Sequence, residues 1–268
     1  MAIQKYRASF QMGLVHSLEY RFEFFVNILS TLFPILIQVF LWFAIYGGTG
    51  SEALYGYSFA QMLAYVAVAG AVSKFINTGV EITVNNDIHS GGLAQFIIKP
   101  VKYIPFRLAQ AAGQKFSSSV TMVAFTAAVL LVLNLSVGFE INPAGACLFV
   151  VSLLTAAVLN FFIFFMLSVA GFWLTEVGRF FHALQITVMV ASGGVFPITI
   201  FGENYIFISR FLPFQYTSFF PISVMTGALG YGEIVSGMVI QLIWIAALAI
   251  VSSLLWRIGI KRYVAVGG

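Results

Sequence analysis

Charge is what this chain has least of. Only 8% of its 268 residues are charged, against 60% hydrophobic, and the mean hydropathy is +0.99. Soluble domains carry about a quarter charged residues, so the composition excludes an ordinary soluble domain and points to an integral membrane protein. Cysteine is almost missing: Cys147 alone, in an apolar run, excludes a disulfide framework or a multi-thiolate metal site within one chain. No Gly-Lys pair occurs, so there is no P-loop to cradle ATP phosphates. HExxH is absent, His16, His89 and His182 are far apart, and the close carboxylates Glu19 and Glu23 lie in the N-terminal segment, outside the apolar runs. Hydrolytic and metal chemistry therefore have no cluster to use, and neither a metal site nor a cofactor is expected on this chain. The net charge of +4 comes from residues at the edges of apolar runs rather than from one patch, which is not the footprint of a nucleic-acid binder.

What the chain does have is long apolar runs, too long and unbroken for the alternating strands of a barrel. Six are placed at 24–46, 59–76, 117–135, 145–174, 184–201 and 235–255. Each approaches or exceeds the roughly 20 residues that cross a hydrocarbon core. The fourth is long enough to tilt or to extend beyond the bilayer, and Pro34 is expected to kink the first. In residues 1–23, Ile3, Tyr6, Phe10, Leu14 and Leu18 recur at three- and four-residue steps, with Lys5, Arg7 and Gln11 off that stripe. This pattern predicts an amphipathic helix lying at the membrane interface. No small-residue cleavage site follows the first apolar run, so no cleaved signal peptide is expected.

Basic residues set the orientation. With a cytoplasmic N-terminus, 12 of the 13 Lys and Arg residues fall on inside ends and loops, leaving only Arg210 outside. Positive charge stays cytoplasmic, so both termini and the 81–115 loop are read as cytoplasmic. That loop carries Glu81, Asp87, His89, Lys99, Lys102, Arg107 and Lys115, with a Gly91-Gly92 pair and with Pro100 and Pro105. Such breakers predict a helix to about His89, a turn, a second piece over 93–98 and an amphipathic run into the next apolar block. A polar, interrupted segment cannot lie in hydrocarbon, and a folded loop against a membrane is a candidate docking surface.

The outer segment 202–234 differs from the other outer loops. Between Phe211 and Gly232 it carries no charge, yet Pro213 and Pro221 forbid a single span. Two short re-entrant helices are expected, tolerated where their broken backbone is buried in protein or lines a cavity; a loop lying flat at the interface is the alternative. Ser192-Gly193-Gly194 with Pro197 marks a break in the fifth run that suits a subunit contact or a flexible outer gate. The uncharged polar groups within the runs include Asn27, Gln38, Asn160, Gln185 and Gln241, able to bind a substrate or to bond across helices; Gln38, Asn160 and Gln185 are the candidate path residues. The runs hold no paired acids or bases, which argues against proton coupling and leaves an external energy source. The two halves show no internal repeat.

Residues 86–103, NDIHSGGLAQFIIKPVKY, together with VFPITIF at 195–201 and LPFQYTSFFPISVMTG at 212–227, resemble the membrane permeases of type-2 ATP-binding-cassette (ABC) exporters, in the six-span branch. The likeness covers essentially the whole chain. Gly92 departs from it, standing where such permeases often carry an acid or another polar residue. The resemblance implies an all-α membrane fold with an N-terminal interfacial helix, six spans and re-entrant outer helices before the last. It implies a permease pairing with a second permease chain, same or sister, to form the path. Separate ATPase subunits would bind ATP and Mg and dock at Asn86, Asp87, Ile88, His89, Ser90, Gly91, Leu93, Phe96, Lys99 and Pro100. The outer gate would use Gly193, Gly194, Pro197, Pro213, Phe214, Phe219 and Pro221. A bacterial inner membrane location, with the lipid bilayer as surroundings, goes with it. A membrane anchor that holds a cytoplasmic partner without moving anything is the alternative, and an intramembrane enzyme would need a polar cluster that the sequence lacks.

Overall fold

The computed structural model describes residues 2–18, 21–50, 53–98, 101–137, 143–174 and 178–263, and these are helical apart from turns and one hairpin of two-residue strands, Ala53–Leu54 against Tyr57–Ser58. The helices are α1 (Ala2–Leu18), α2 (Arg21–Thr49), α3 (Phe59–Ile76), α4 (Val80–His89), α5 (Ala94–Ile98), α6 (Tyr103–Val137), α7 (Pro143–Ser168), α8 (Gly178–Ala191), α9 (Glu203–Ser209), α10 (Phe219–Met225) and α11 (Tyr231–Gly259). Stretches built on α3, α7 and α11 are long and apolar enough to cross a bilayer, while α2 and α8 contain shorter apolar pieces, Phe33–Thr49 and Phe180–Ala191.

Buried apolar residues concentrate on α3 and α7. α3 begins at a capping box in which Ser58 and Gln61 satisfy each other's backbone N–H groups, and it is buried almost throughout. α7 packs against α11, α10, α4 and α3, with Leu159, Phe161 and Phe165 fully enclosed. Gln241 on α11 ties this centre together. Its Nε2 donates to Ser152 O on α7 (3.1 Å) and to Tyr216 O (2.8 Å), and its Oε1 accepts from Thr155 (2.7 Å). Of the two roles open to Gln241 from the sequence, the cross-helix bond is the one its geometry fills.

The fifth apolar run is not one helix over 184–201: α8 stops at Ala191, and Ile198–Phe201 forms a separate 3-10 turn. Gly193 turns the chain with φ +78, a conformation that glycine reaches without steric cost. The freed carbonyls find tertiary partners, Ser192 O accepting from Phe219 N (2.8 Å) and Gly193 O from Tyr65 OH (2.5 Å). α1 makes a close contact with another helix. It lies along the first half of α6 with Ser9 and Gly13 turned into the contact, and Ser9 Oγ donates to Phe106 O (2.8 Å). Gly13 and Gly113 face the opposite backbone so closely that a Cβ on either would collide with it. Small residues let the two helices meet at this distance. α2 continues through Pro34 as one helix.

Candidate functional site

The loop between α3 and α6 folds back on itself. α4 ends at Ser90, and Gly91 (φ +80) reverses the chain so that Leu93 N donates to Asp87 O (3.1 Å). Gly92 sits against Asp87, where a Cβ would lie 3.0 Å from the carboxylate. The missing side chain leaves Asp87 free to turn inward. There it forms an ion pair with Arg107 and accepts from the Tyr103 hydroxyl, both groups on α6. Arg107 is buried. Its Nε donates to Tyr103 (3.2 Å) and its Nη1 to Gln110 (2.6 Å), while the guanidinium lies over the Phe96 ring at 5.2 Å. Positions 103, 107 and 110 follow the i, i+4, i+7 spacing of one helix face, so the set was open to discovery from the sequence. Trp256 was not: its α11 ring stacks on Tyr103 at 4.4 Å and 6°, and it meets Phe165 and Phe172 on its other sides.

The expected docking residues therefore divide. Asn86, His89 and Ser90 are exposed at the tip, with Gln95 and the strongly exposed Ile98 beside them. Ile88 and Leu93 are buried, Phe96 is half-buried under Arg107, and Asp87 faces inward. Lys99 and Pro100 lie outside the described residues. Glu81, at the start of α4, is buried rather than solvated, and burial raises its pKa against the opposing influence of His182 and Lys115. Lys115 stands two residues before the apolar part of α6, its Nζ donating to Lys74 O (2.8 Å). Desolvation first, and then the Lys74 charge, pull the Lys115 pKa down to about 8, with Glu81 opposing.

On the other side of α3, the broken end of α8 meets the uncharged stretch before α11. Gln215 through Ser218 and Phe220 through Val224 are buried, so this stretch is held inside the protein. Pro197, Pro213 and Pro221 are buried with it, and Phe214 and Phe219 pack at its margin. Phe219, Ile198 and Tyr65 crowd the space where a Gly193 Cβ would be, and Met189 O and Ser73 Oγ crowd that at Gly194. Of the seven residues expected at an outer gate, Gly193 and Gly194 pack against Tyr65, Ser73 and Phe219, and the other five are buried or half-buried.

A cavity of about 200 Å³ opens beside this region, between α3, α7, α8 and the Thr217–Ser218 turn. Two of the three candidate path residues, Asn160 and Gln185, line it. The third, Gln38, does not; its Oε1 is buried on α2 without a hydrogen-bond partner among the described residues.

The model of the ABC-2 family transporter proteins matches residues 32–267, which takes in every feature just described apart from α1. The chain belongs to this family. No curated protein and no solved structure matches it. As an ABC-2 family transporter protein it is a multi-pass membrane protein, and the apolar helices are its membrane domain.

Proposed function

We propose that this ABC-2 family protein is the permease subunit of an ATP-driven exporter. It lines the path together with a second permease chain and is energised by separate ATPase subunits docked on the α4–α5 tip. The observation that carries this is the α4–α5 fold-back. It presents Asn86, His89, Ser90 and Ile98 outward while its inner side is bound to α6 by Asp87–Arg107 and reaches α7 and α11 through Tyr103 and Trp256. A push on such a tip would travel to three long helices rather than being absorbed in a loop. The absence of a P-loop from the sequence agrees with ATP and Mg being held by a partner.

In this reading the crossings are α2, α3, α6, α7, α8 with the segment after it, and α11. Fourteen residues of α8 rise only about 21 Å against a core of about 30 Å, so the 192–201 segment completes the fifth crossing. The Lys and Arg distribution supports cytoplasmic termini in a bacterial inner membrane. α1 then runs along the inner interface, latched to α6. The segment containing α9 and α10 dips into the outer leaflet as the gate.

Cross-linking tests the central element. Cysteines replacing Ser90 or Gln95, in a Cys147→Ser background, should form adducts with an ATPase chain encoded beside this one. ATP-dependent transport by that pair should fall when Asn86 and His89 are both changed to Ala. Adducts without any ATP-dependent transport would leave the anchor reading in place, and no adduct at all would remove the docking idea.

A further inference from the structure

We propose that the cavity between α3, α7 and α8 binds the uncharged, hydrogen-bonding headgroup of an amphipathic molecule, with the Gln185 amide as the group that recognises it. As the substrate class of the exporter this rests on the transport reading above; as a binding site it stands by itself.

Charge decides the first part. Among the described residues, no Lys, Arg, His, Asp or Glu lines the cavity. A charged headgroup moved there from water would find no counter-charge, whereas a neutral polar one needs only hydrogen bonds. The wall decides the second part. Ile76, Phe164, Ile186, Val188 and Met189 offer hydrocarbon contact. A wholly polar solute would leave that surface unmatched.

The amides decide the third part. Most polar groups on the wall are already engaged with the protein. Ser192 Oγ and Ser218 Oγ bond to each other (3.1 Å), and Thr217 Oγ1 donates to Phe214 O (2.7 Å). Asn160 Nδ2 donates to Ile76 O (2.7 Å), which closes the end of α3 and leaves the Asn160 Oδ1 over. Gln185 makes no hydrogen bond among the described residues, although it lies half-buried at the cavity. Its amide offers two donor hydrogens and one acceptor oxygen, the set that pairs with hydroxyl or amide groups. A pure hydrocarbon would leave the Gln185 amide and the Asn160 Oδ1 unmatched, so the fitting ligand carries hydroxyls or amides beside an apolar part.

The experiment uses the full chain in lipid nanodiscs, without ATPase or ATP. The probe is octyl glucoside with a diazirine on its alkyl chain, compared with octyl phosphate and octyltrimethylammonium carrying the same diazirine. Mass spectrometry should place saturable labelling by the glucoside on peptides around Phe164 and 185–189, with little from either charged probe. Gln185→Leu breaks no bond in the fold and should raise the half-saturating concentration about 3- to 10-fold, the loss of roughly one neutral hydrogen bond. Ile186→Trp, at an exposed wall position, should reduce labelling by narrowing the space. Equal labelling by charged probes, or unchanged saturation in both variants, would overturn the site. The two readings fail separately. Labelling as expected with no ATP-dependent transport sinks the exporter and leaves the site, and ATP-driven transport with no saturable labelling sinks the site and leaves the exporter.

Discussion

The ring of Tyr103 lies flat on the ring of Trp256, 4.4 Å apart at 6°, joining residues 153 positions apart in the chain (256 − 103). Tyr103 also touches Asp87 and Arg107, so this one stack connects the α4–α5 fold-back to the last long helix. Stacked aromatic pairs contribute about 0.5–1.5 kcal/mol beyond the area they bury. Trp256→Ala should therefore leave ATPase docking at the tip intact while transport per ATP hydrolysed falls, and Trp256→Phe should restore most of it. Vesicle transport measured beside ATPase activity checks this; equal coupling in wild type and Trp256→Ala would remove the stack from the relay.

Asp87 and His89 should separate sharply. Removing one member of a buried ion pair leaves the other uncompensated, at a cost of about 3–5 kcal/mol when burial is complete and less for a pair with some exposure such as this one. Asp87→Ala should loosen the fold-back, seen as faster amide hydrogen exchange across 80–98. Asn86→Ala with His89→Ala, both at exposed positions, should leave exchange unchanged and weaken ATPase binding only. Similar exchange in both variants would mean that Asp87 is not the internal tie.

Gly92 gives a third test. Its bare Cα leaves room for the inward Asp87 carboxylate, so Gly92→Glu should crowd that carboxylate and repel it electrostatically. The expected result is the Asp87→Ala exchange phenotype in a protein that still inserts. Wild-type exchange and transport in Gly92→Glu would show that the position tolerates an acid.

Lys115 should titrate early. Its pKa is pulled from 10.5 to about 8, chiefly by burial. Because the folded value lies below the unfolded one, the unfolded chain binds more protons between about pH 8 and 10.5, and the folded state gains stability as pH rises through that window. Below about pH 8 the full penalty of the partly buried ammonium is present. Reductive ¹³C-methylation followed by NMR should show one lysine with a midpoint near 8, missing in Lys115→Arg. A midpoint in the ordinary lysine range would contradict this, as would an unchanged spectrum in the variant.

The apolar runs, the near-absence of charge and the basic-residue asymmetry follow from composition and local order, so the membrane class, the helix breaks at Gly91-Gly92 and at Gly193, and the uncharged 211–232 stretch were legible in the sequence alone. These are short-range consequences: a glycine that turns the chain or a proline that lacks an N–H acts on its own neighbours. Other features needed the third dimension. Asp87 reads as an exposed charge on a loop until α6 brings Arg107 against it, and Glu81 reads as solvated until helix packing buries it. The α1–α6 contact depends on two glycines a hundred residues apart, each meeting the backbone of the opposite helix, and the cavity on α3, α7 and α8 coming together around Gln185 while Asn160 is engaged with Ile76. A side chain's type and spacing say what bonds it can make, and only the packed structure decides which of those bonds are already made.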